Sequence, residues 1–99
     1  MPTRQVALST TPTLVLEGVP RGKERKSMVI TNQSSTIAVG VIDNASQAYS
    51  DSTRIPALST RFYNRIDDGP IRLDGPLLMV SASGSPNVAV DTHEEFING

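Results

Sequence analysis

The chain has 99 residues, and its nine basic and ten acidic side chains give a formal net charge of −1 at pH 7. This balance argues against a dedicated nucleic-acid binder, for which an excess of lysine and arginine is expected. Cysteine is absent, which excludes disulfides, a thiolate nucleophile and a Cys-ligated zinc.

The N-terminal segment, residues 1–12, is polar and rich in threonine. It has no apolar stretch of the kind that a signal peptide needs, and no segment of the chain approaches the ~20 apolar residues of a membrane span. We therefore predict a flexible N-terminal arm over 1–12, followed by a single domain over 13–99. Its polar side chains Thr3, Arg4 and Gln5 are candidate partner contacts.

Short β-rich segments separated by turn residues dominate the rest of the chain. This spacing predicts an all-β fold, an antiparallel β-sandwich of about seven to eight short strands, and not βαβ units. The pattern leaves a jelly-roll and an immunoglobulin-like strand order open. The predicted strands cover residues 4–8, 13–18, 26–32, 36–42, 60–66, 77–83 and 87–96.

Alternation within the third predicted strand assigns its two faces. Met28 and Ile30 share one face and are expected in the core, while Ser27, Val29 and Thr31 take the other. An outer face of this half-apolar kind suits a strand that another subunit covers, although valine and threonine also simply favour strands.

The stretch 43–54 is too polar, and too rich in serine and aspartate, to bury one face of a helix. We predict a long loop between strands. Loops of this length in a small domain are often functional. Residues 43–54, with Tyr49 and Arg54 as candidate contacts, are therefore expected to contact a partner, together with residues 1–12.

The sequence "DDGPIRLDGP" contains Asp-Gly-Pro twice, at 68–70 and 74–76. The spacing of its carboxylates does not match a calcium loop, and no Gly-rich phosphate-binding pattern leads into a helix. Asp, Gly and Pro are instead typical of tight turns. We predict two reversals with a short strand, "PIRLD", between them.

Three further side chains, Arg61, Tyr63 and Arg65, alternate along one predicted strand. They would form a strip capable of cation–π contacts and are candidate partner contacts, or else edge charges that block aggregation. The basic stretch 20–26 lacks interleaved aromatic residues and is predicted to be a solvated hairpin loop.

The single histidine, His93, lies among Asp91, Glu94 and Glu95. No nucleophile motif or spaced carboxylate pair accompanies it, so a solvated strand end is expected. We predict no enzymatic activity, no cofactor and no metal. A small metal-dependent hydrolase is the remaining catalytic alternative.

Residues 20–96 follow a recognisable order: Arg25, "MVITNQSS", "TIAVGVID", "IPALS", "DGPIRLDGPLLMVSASG" and "NVAVDTHEEF". This order resembles small virion structural proteins of tailed phages, of the head decoration (cement) type. The resemblance implies a non-enzymatic β-sandwich, made in the host cytoplasm and incorporated into the virion. Its implied partner is the major capsid protein or another virion protein, and a homo-oligomer, with a trimer favoured, is expected without nucleic acid or membrane.

Two alternatives stay open. The first is a neck, tail or fibre-base component of the same kind of particle. The second is a host-glycan-binding β-sandwich module, for which exposed aromatic platforms would be needed. The chain has no tryptophan, and its aromatic residues are Tyr49, Phe62, Tyr63 and Phe96.

Overall fold

The computed structural model describes residues 3–96, with the side chains of Thr3 and of residues 70–72 left out of the description. The chain folds into an eight-stranded antiparallel β-sandwich, as the sequence predicts. Its elements are β1 (Thr3–Ala7), β2 (Thr13–Leu16), β3 (Lys23–Asn32), β4 (Val39–Ile42), a 3-10 helix (Tyr49–Asp51), β5 (Thr53–Ile55), β6 (Thr60–Asn64), α1 (Arg65–Asp74), β7 (Leu77–Ser81) and β8 (Asn87–Phe96).

The strand order is that of a jelly roll. One sheet has the order β1-β8-β3-β6 and the other the order β2-β7-β4-β5. The pairs β1·β8, β2·β7, β3·β6 and β4·β5 are all antiparallel, as in a single long ribbon wound into two sheets. This order decides between the two topologies that the sequence leaves open.

The core lies between the two sheets and is built from alternate strand residues. Met28 and Ile30 of β3 are buried, as their alternation predicts, while Val29 on the opposite face is only partly covered. The largest fully buried apolar side chains are Leu8, Val15, Met28, Ile30, Val39, Ile55, Leu73, Met79, Val80, Val88 and Val90.

The N-terminal segment belongs to this sandwich. Residues 3–7 form β1, which pairs with residues 87–91 of β8, and Leu8 is buried in the core. The prediction of an arm over 1–12 is therefore wrong for residues 3–8, while Met1 and Pro2 lie outside the described residues. Deleting 1–12 would remove an edge strand and a core side chain.

Residues 65–74 form the kinked helix α1, so the predicted reversal at 68–70 and the predicted "PIRLD" strand are wrong, while Asp74-Gly75-Pro76 lies in the connection from α1 to β7. The Asn64 side chain accepts the N–H of Asp67 at 2.8 Å, and Asp68 accepts the N–H of Asn64 at 2.9 Å, a reciprocal cap that starts the helix. Gly69, at φ 80° and ψ 163°, breaks the helix, and Pro70 suits the first turn of its second half.

The segment 43–54 is also not a free loop. It contains the 3-10 helix and most of β5, and this helix packs against the outer face of β4. Gly40 lies beneath Tyr49 and Ser52, and Val80, its partner in register on β7, is fully buried. The prediction of a long loop over 43–54 is therefore wrong for residues 49–54, and Tyr49 and Ser52 cover the outer face of their own sheet.

Candidate interaction surface

Two of the connections between the sheets join edge strands, and they mark the two sides of the sandwich. Residues 8–12 join edge strand β1 to edge strand β2, and residues 56–59 join edge strand β5 to edge strand β6. The predicted contact residues are divided between these sides. Thr3, Arg4 and Gln5 lie on β1, whereas Arg54 and Arg61 lie on β5 and β6.

The β5–β6 edge combines apolar and cationic side chains, and we define it as Arg54, Leu58, Arg61 and Phe62. All four are exposed, with Leu58 at 68% and Phe62 at 60%. The side chains of Leu58 and Phe62 expose apolar area to water, and burying that area against a partner would be favourable by about 25 cal/mol per Å². Aromatic residues and arginine are the side chains enriched in protein–protein interfaces.

Leu58 is also held in an unfavourable backbone conformation. Its φ of 56° places it in the left-handed region, as for no other non-glycine residue in the described range. For an L-residue with a branched side chain this costs about 1–2 kcal/mol. Strain combined with exposure points to a role for this loop outside the fold itself.

A buried asparagine fixes the loop that carries Leu58. The Asn32 amide nitrogen donates to the carbonyl oxygens of Ile55 and Pro56, each at 3.2 Å, and of Ile37 at 2.8 Å. The backbone N–H of Asn32 donates to Ser59 at 2.9 Å. These bonds hold 55–59 in one conformation, so little order has to be gained when a partner binds.

Each arginine of this edge lies over a tyrosine ring. The Arg54 guanidinium carbon is 5.1 Å from the Tyr49 ring centre, and that of Arg61 is 4.9 Å from the Tyr63 ring centre. The predicted cation–π contact of Arg61 and Tyr63 is therefore present. Tyr63 is only 3% exposed, however, and supports Arg61 without being available to a partner.

Arg65 is not on the same strand as Arg61, because it begins α1. Its Nη1 donates to Asp74 Oδ1 at 2.6 Å and to the carbonyl of Arg25 at 2.9 Å, and its Nη2 lies 3.4 Å from Glu24. The hydrogen bond to Asp74 raises the pKa of Arg65. Arg65 thus ties α1 to β3, which is a structural role that its predicted place on a strand did not suggest.

Arg25 lies on β3 and is buried, with 4% of its surface exposed. The prediction of a solvated loop over 20–26 is therefore wrong at Arg25. Its guanidinium donates to the carbonyl oxygens of Leu73, Gly75 and Glu17. Burial lowers the pKa of Arg25, and the charges of Glu94 and Asp74 oppose that shift. The residue joins β3 to the end of α1 and to the segment after β2.

Asp74 gives this cluster a dependence on pH. Its hydrogen bond from Arg65 holds the pKa of Asp74 below its ordinary value of 3.8, with the N–H of Arg25 contributing a second bond at 2.9 Å. The ionised carboxylate therefore stabilises the fold fully above pH 3.8, and this stabilisation is lost as the pH falls through that value and below.

We expect Asp74→Asn to lower the free energy of unfolding at neutral pH by about 1–2 kcal/mol, since the side chain is partly exposed and solvent weakens its contacts. The difference from wild type should shrink below about pH 4. Urea unfolding at a series of pH values measures this, with exposed Glu17→Gln as the control. A difference that stays constant down to about pH 2 would contradict the assignment.

The C-terminal half of β8 extends beyond edge strand β1 and forms a further open edge. β1 covers only residues 87–91, so among the described residues 92–96 pair with β3 alone. His93, Glu94, Glu95 and Phe96 are exposed. His93 Nε2 lies 3.2 Å from Glu95 Oε1, and within residues 3–96 no cluster of three or more histidine and acidic side chains is placed to hold a metal ion.

The comparisons with known proteins add no relative: no family model, no curated protein and no solved structure matched the chain. In the described part of the chain, no helix has the length and apolarity to cross a membrane.

Proposed function

We propose that this chain is a non-enzymatic structural protein of a tailed-phage virion, and that it decorates and stabilises the head by binding the capsid lattice as a homo-oligomer. The observation that carries the proposal is the β5–β6 edge. Asn32 fixes the loop that carries the exposed Leu58, β6 carries the exposed Phe62, and Arg54 and Arg61 belong to the same edge, a composition suited to contact another protein.

Two further features support this reading. The jelly-roll architecture of this chain is shared with viral capsid domains and with lectins. The order of segments over residues 20–96 resembles head decoration proteins. A lattice offers many equivalent sites, so an oligomer gains strong binding from contacts that are individually weak.

The test is quantitative mass spectrometry of purified virions, which counts this chain against the major capsid protein. We expect a simple lattice fraction, such as a ratio near one. A few copies to about a dozen per particle would contradict head decoration and move the chain to the neck, tail or fibres. No copies at all would contradict the virion assignment and favour the glycan-binding alternative.

A matched pair of variants tests the β5–β6 edge in the same experiment. Leu58→Ser combined with Phe62→Ser should reduce the copy number per particle. The control is Leu14→Ser, an exposed leucine on β2 at the opposite side of the sandwich. Equal copy numbers for the two variants would show that the edge is not the contact surface.

A further inference from the structure

Besides edge strand β1, the sheet β1-β8-β3-β6 has two open edges, and these carry opposite charges. The first open edge is β6, which pairs only with β3 among the described residues. Its residues 60–64, "TRFYN", include Arg61 and no carboxylate. The second is the end of β8, residues 92–96, "THEEF", which has Glu94 and Glu95 and neither lysine nor arginine.

The β8 end has an unpaired strand edge among the described residues and an exposed aromatic side chain. β3 and β8 are ten residues long, and residues 23–25 of β3 pair only with 94–96 of β8, so this part is a two-stranded ribbon. Phe96 is exposed and is approached by Lys23 Nζ at 4.8 Å from its ring centre. An unpaired strand edge presents backbone N–H and C=O groups that another strand can satisfy.

We propose that the β5–β6 edge of one copy receives the β8 end of a second copy, by antiparallel strand addition to β6. Charge complementarity and exposed apolar side chains select this occupant, since edge strand β1 also carries an arginine, Arg4, but only β6 has the exposed Phe62 to meet Phe96. Pairing of two β8 ends is disfavoured because it brings glutamates together, and pairing of two β6 strands brings two arginines together. In one register Glu94 lies opposite Arg61 and His93 lies opposite Phe62.

The contact joins two different surfaces, so it is head-to-tail. It closes into a ring if the rotation between copies permits and otherwise continues as a filament. It rests on the proposed role of the β5–β6 edge as a protein contact surface, and it identifies the partner at that surface as a second copy of this chain.

The test is charge reversal, with self-association of the purified chain measured by sedimentation over a concentration series. Arg61→Glu should weaken self-association at least tenfold, equivalent to about 1.4 kcal/mol, because an attraction becomes a repulsion. Glu94→Arg should do the same, and Arg61→Glu with Glu94→Arg in one chain should restore it. The control for net charge is Arg21→Glu, in an exposed turn.

A mixture gives the sharpest readout. In a one-to-one mixture of the Arg61→Glu and Glu94→Arg chains, complementary contacts form only between unlike chains. Copies must then alternate, so any closed ring in the mixture should contain an even number of copies, whereas rings of the double variant have no such restriction. Glu94 lies opposite Arg25 in register, so a substitution of Glu94 can also affect folding. Urea unfolding therefore measures the stability of each variant. If Glu94→Arg does not fold, Glu94→Gln replaces it.

A monomeric wild type at every concentration would overturn the inference, as would an Arg61→Glu effect no larger than that of Arg21→Glu. Neither result would contradict the proposed function, because the copy number in virions tests that function separately. Conversely, the charge-reversal pattern together with no copies in virions would retain the self-association and overturn the proposed function.

Discussion

Arg25→Met should lower the free energy of unfolding by about 3–5 kcal/mol, the largest single-residue effect that we expect in this chain. The substitution keeps the aliphatic stem and removes the guanidinium from a site that is 4% exposed. Since a small domain has about 5–15 kcal/mol of stability in total, the variant should be close to unfolding. Urea unfolding followed by circular dichroism measures the change.

The expected size follows from what the guanidinium satisfies. Its Nη1 donates to Leu73 and Gly75, each at 2.9 Å, and its Nη2 donates to Glu17 at 2.5 Å. Methionine would leave three carbonyl oxygens without these donors, and an unsatisfied buried polar group costs about 1–3 kcal/mol. The carbonyls of Leu73 and Gly75 lie at the end of α1 and directly after it, so the attachment of α1 to β3 should loosen.

Two companion variants separate this explanation from a general effect of losing a charge. Arg21→Met, in an exposed turn, removes the same charge and should change stability by less than about 0.5 kcal/mol. Arg25→Lys keeps the charge but has no planar fork, so it should recover only part of the loss. If Arg25→Met matched Arg21→Met, the three bonds would contribute nothing net.

Gly40→Ala should lower the free energy of unfolding by about 1–3 kcal/mol, as expected for overpacking. A Cβ at Gly40 would overlap Ser52 Oγ and Cβ and would lie 3.5 Å from Tyr49 Cδ1. Because Gly40 is buried in the middle of β4, the turn at 49–52 has to move away from the sheet. Urea unfolding measures the loss, and limited proteolysis within 43–54 reports the displaced turn.

The matched control is a double-mutant cycle with Ser52→Gly, which removes the side chain that an alanine at position 40 would strike. Ser52→Gly alone loses the hydrogen bond from Ser52 Oγ to the Tyr49 carbonyl, 2.6 Å long. The double variant should be more stable than the sum of the single effects predicts. Additive effects would mean that Ser52 does not cause the strain.

The strands could be predicted because their signal is local. Alternation of apolar side chains depends only on residues two positions apart, and the seven strands predicted from the β-rich segments all occur in the structure, whereas the "PIRLD" strand does not. β5, with three residues, is too short to show alternation and was missed. Helix α1 was missed because two Asp-Gly-Pro sequences suggested turns, although Asn64, Asp67 and Asp68 together form a recognisable N-terminal cap.

The candidate surface was only partly predictable. Arg54 and Arg61 were expected as contacts and lie exposed on the β5–β6 edge. Tyr63 and Arg65 were expected with them, but burial in the core and the start of α1 remove them from that role. Leu58 was missed, although a leucine within a short turn-rich segment, Pro56–Ser59, is an available signal.

An all-β sandwich without disulfides could be predicted from the sequence, because composition and two-residue alternation are properties of neighbouring residues. The jelly-roll order, the burial of Arg25 and the covering of Gly40 by residues 49–52 are seen in the folded chain alone. Each of these depends on segments distant in the chain: Arg25 bonds to Leu73, 48 residues away. No local pattern encodes such a contact, so a buried arginine and a solvated one look alike in the sequence.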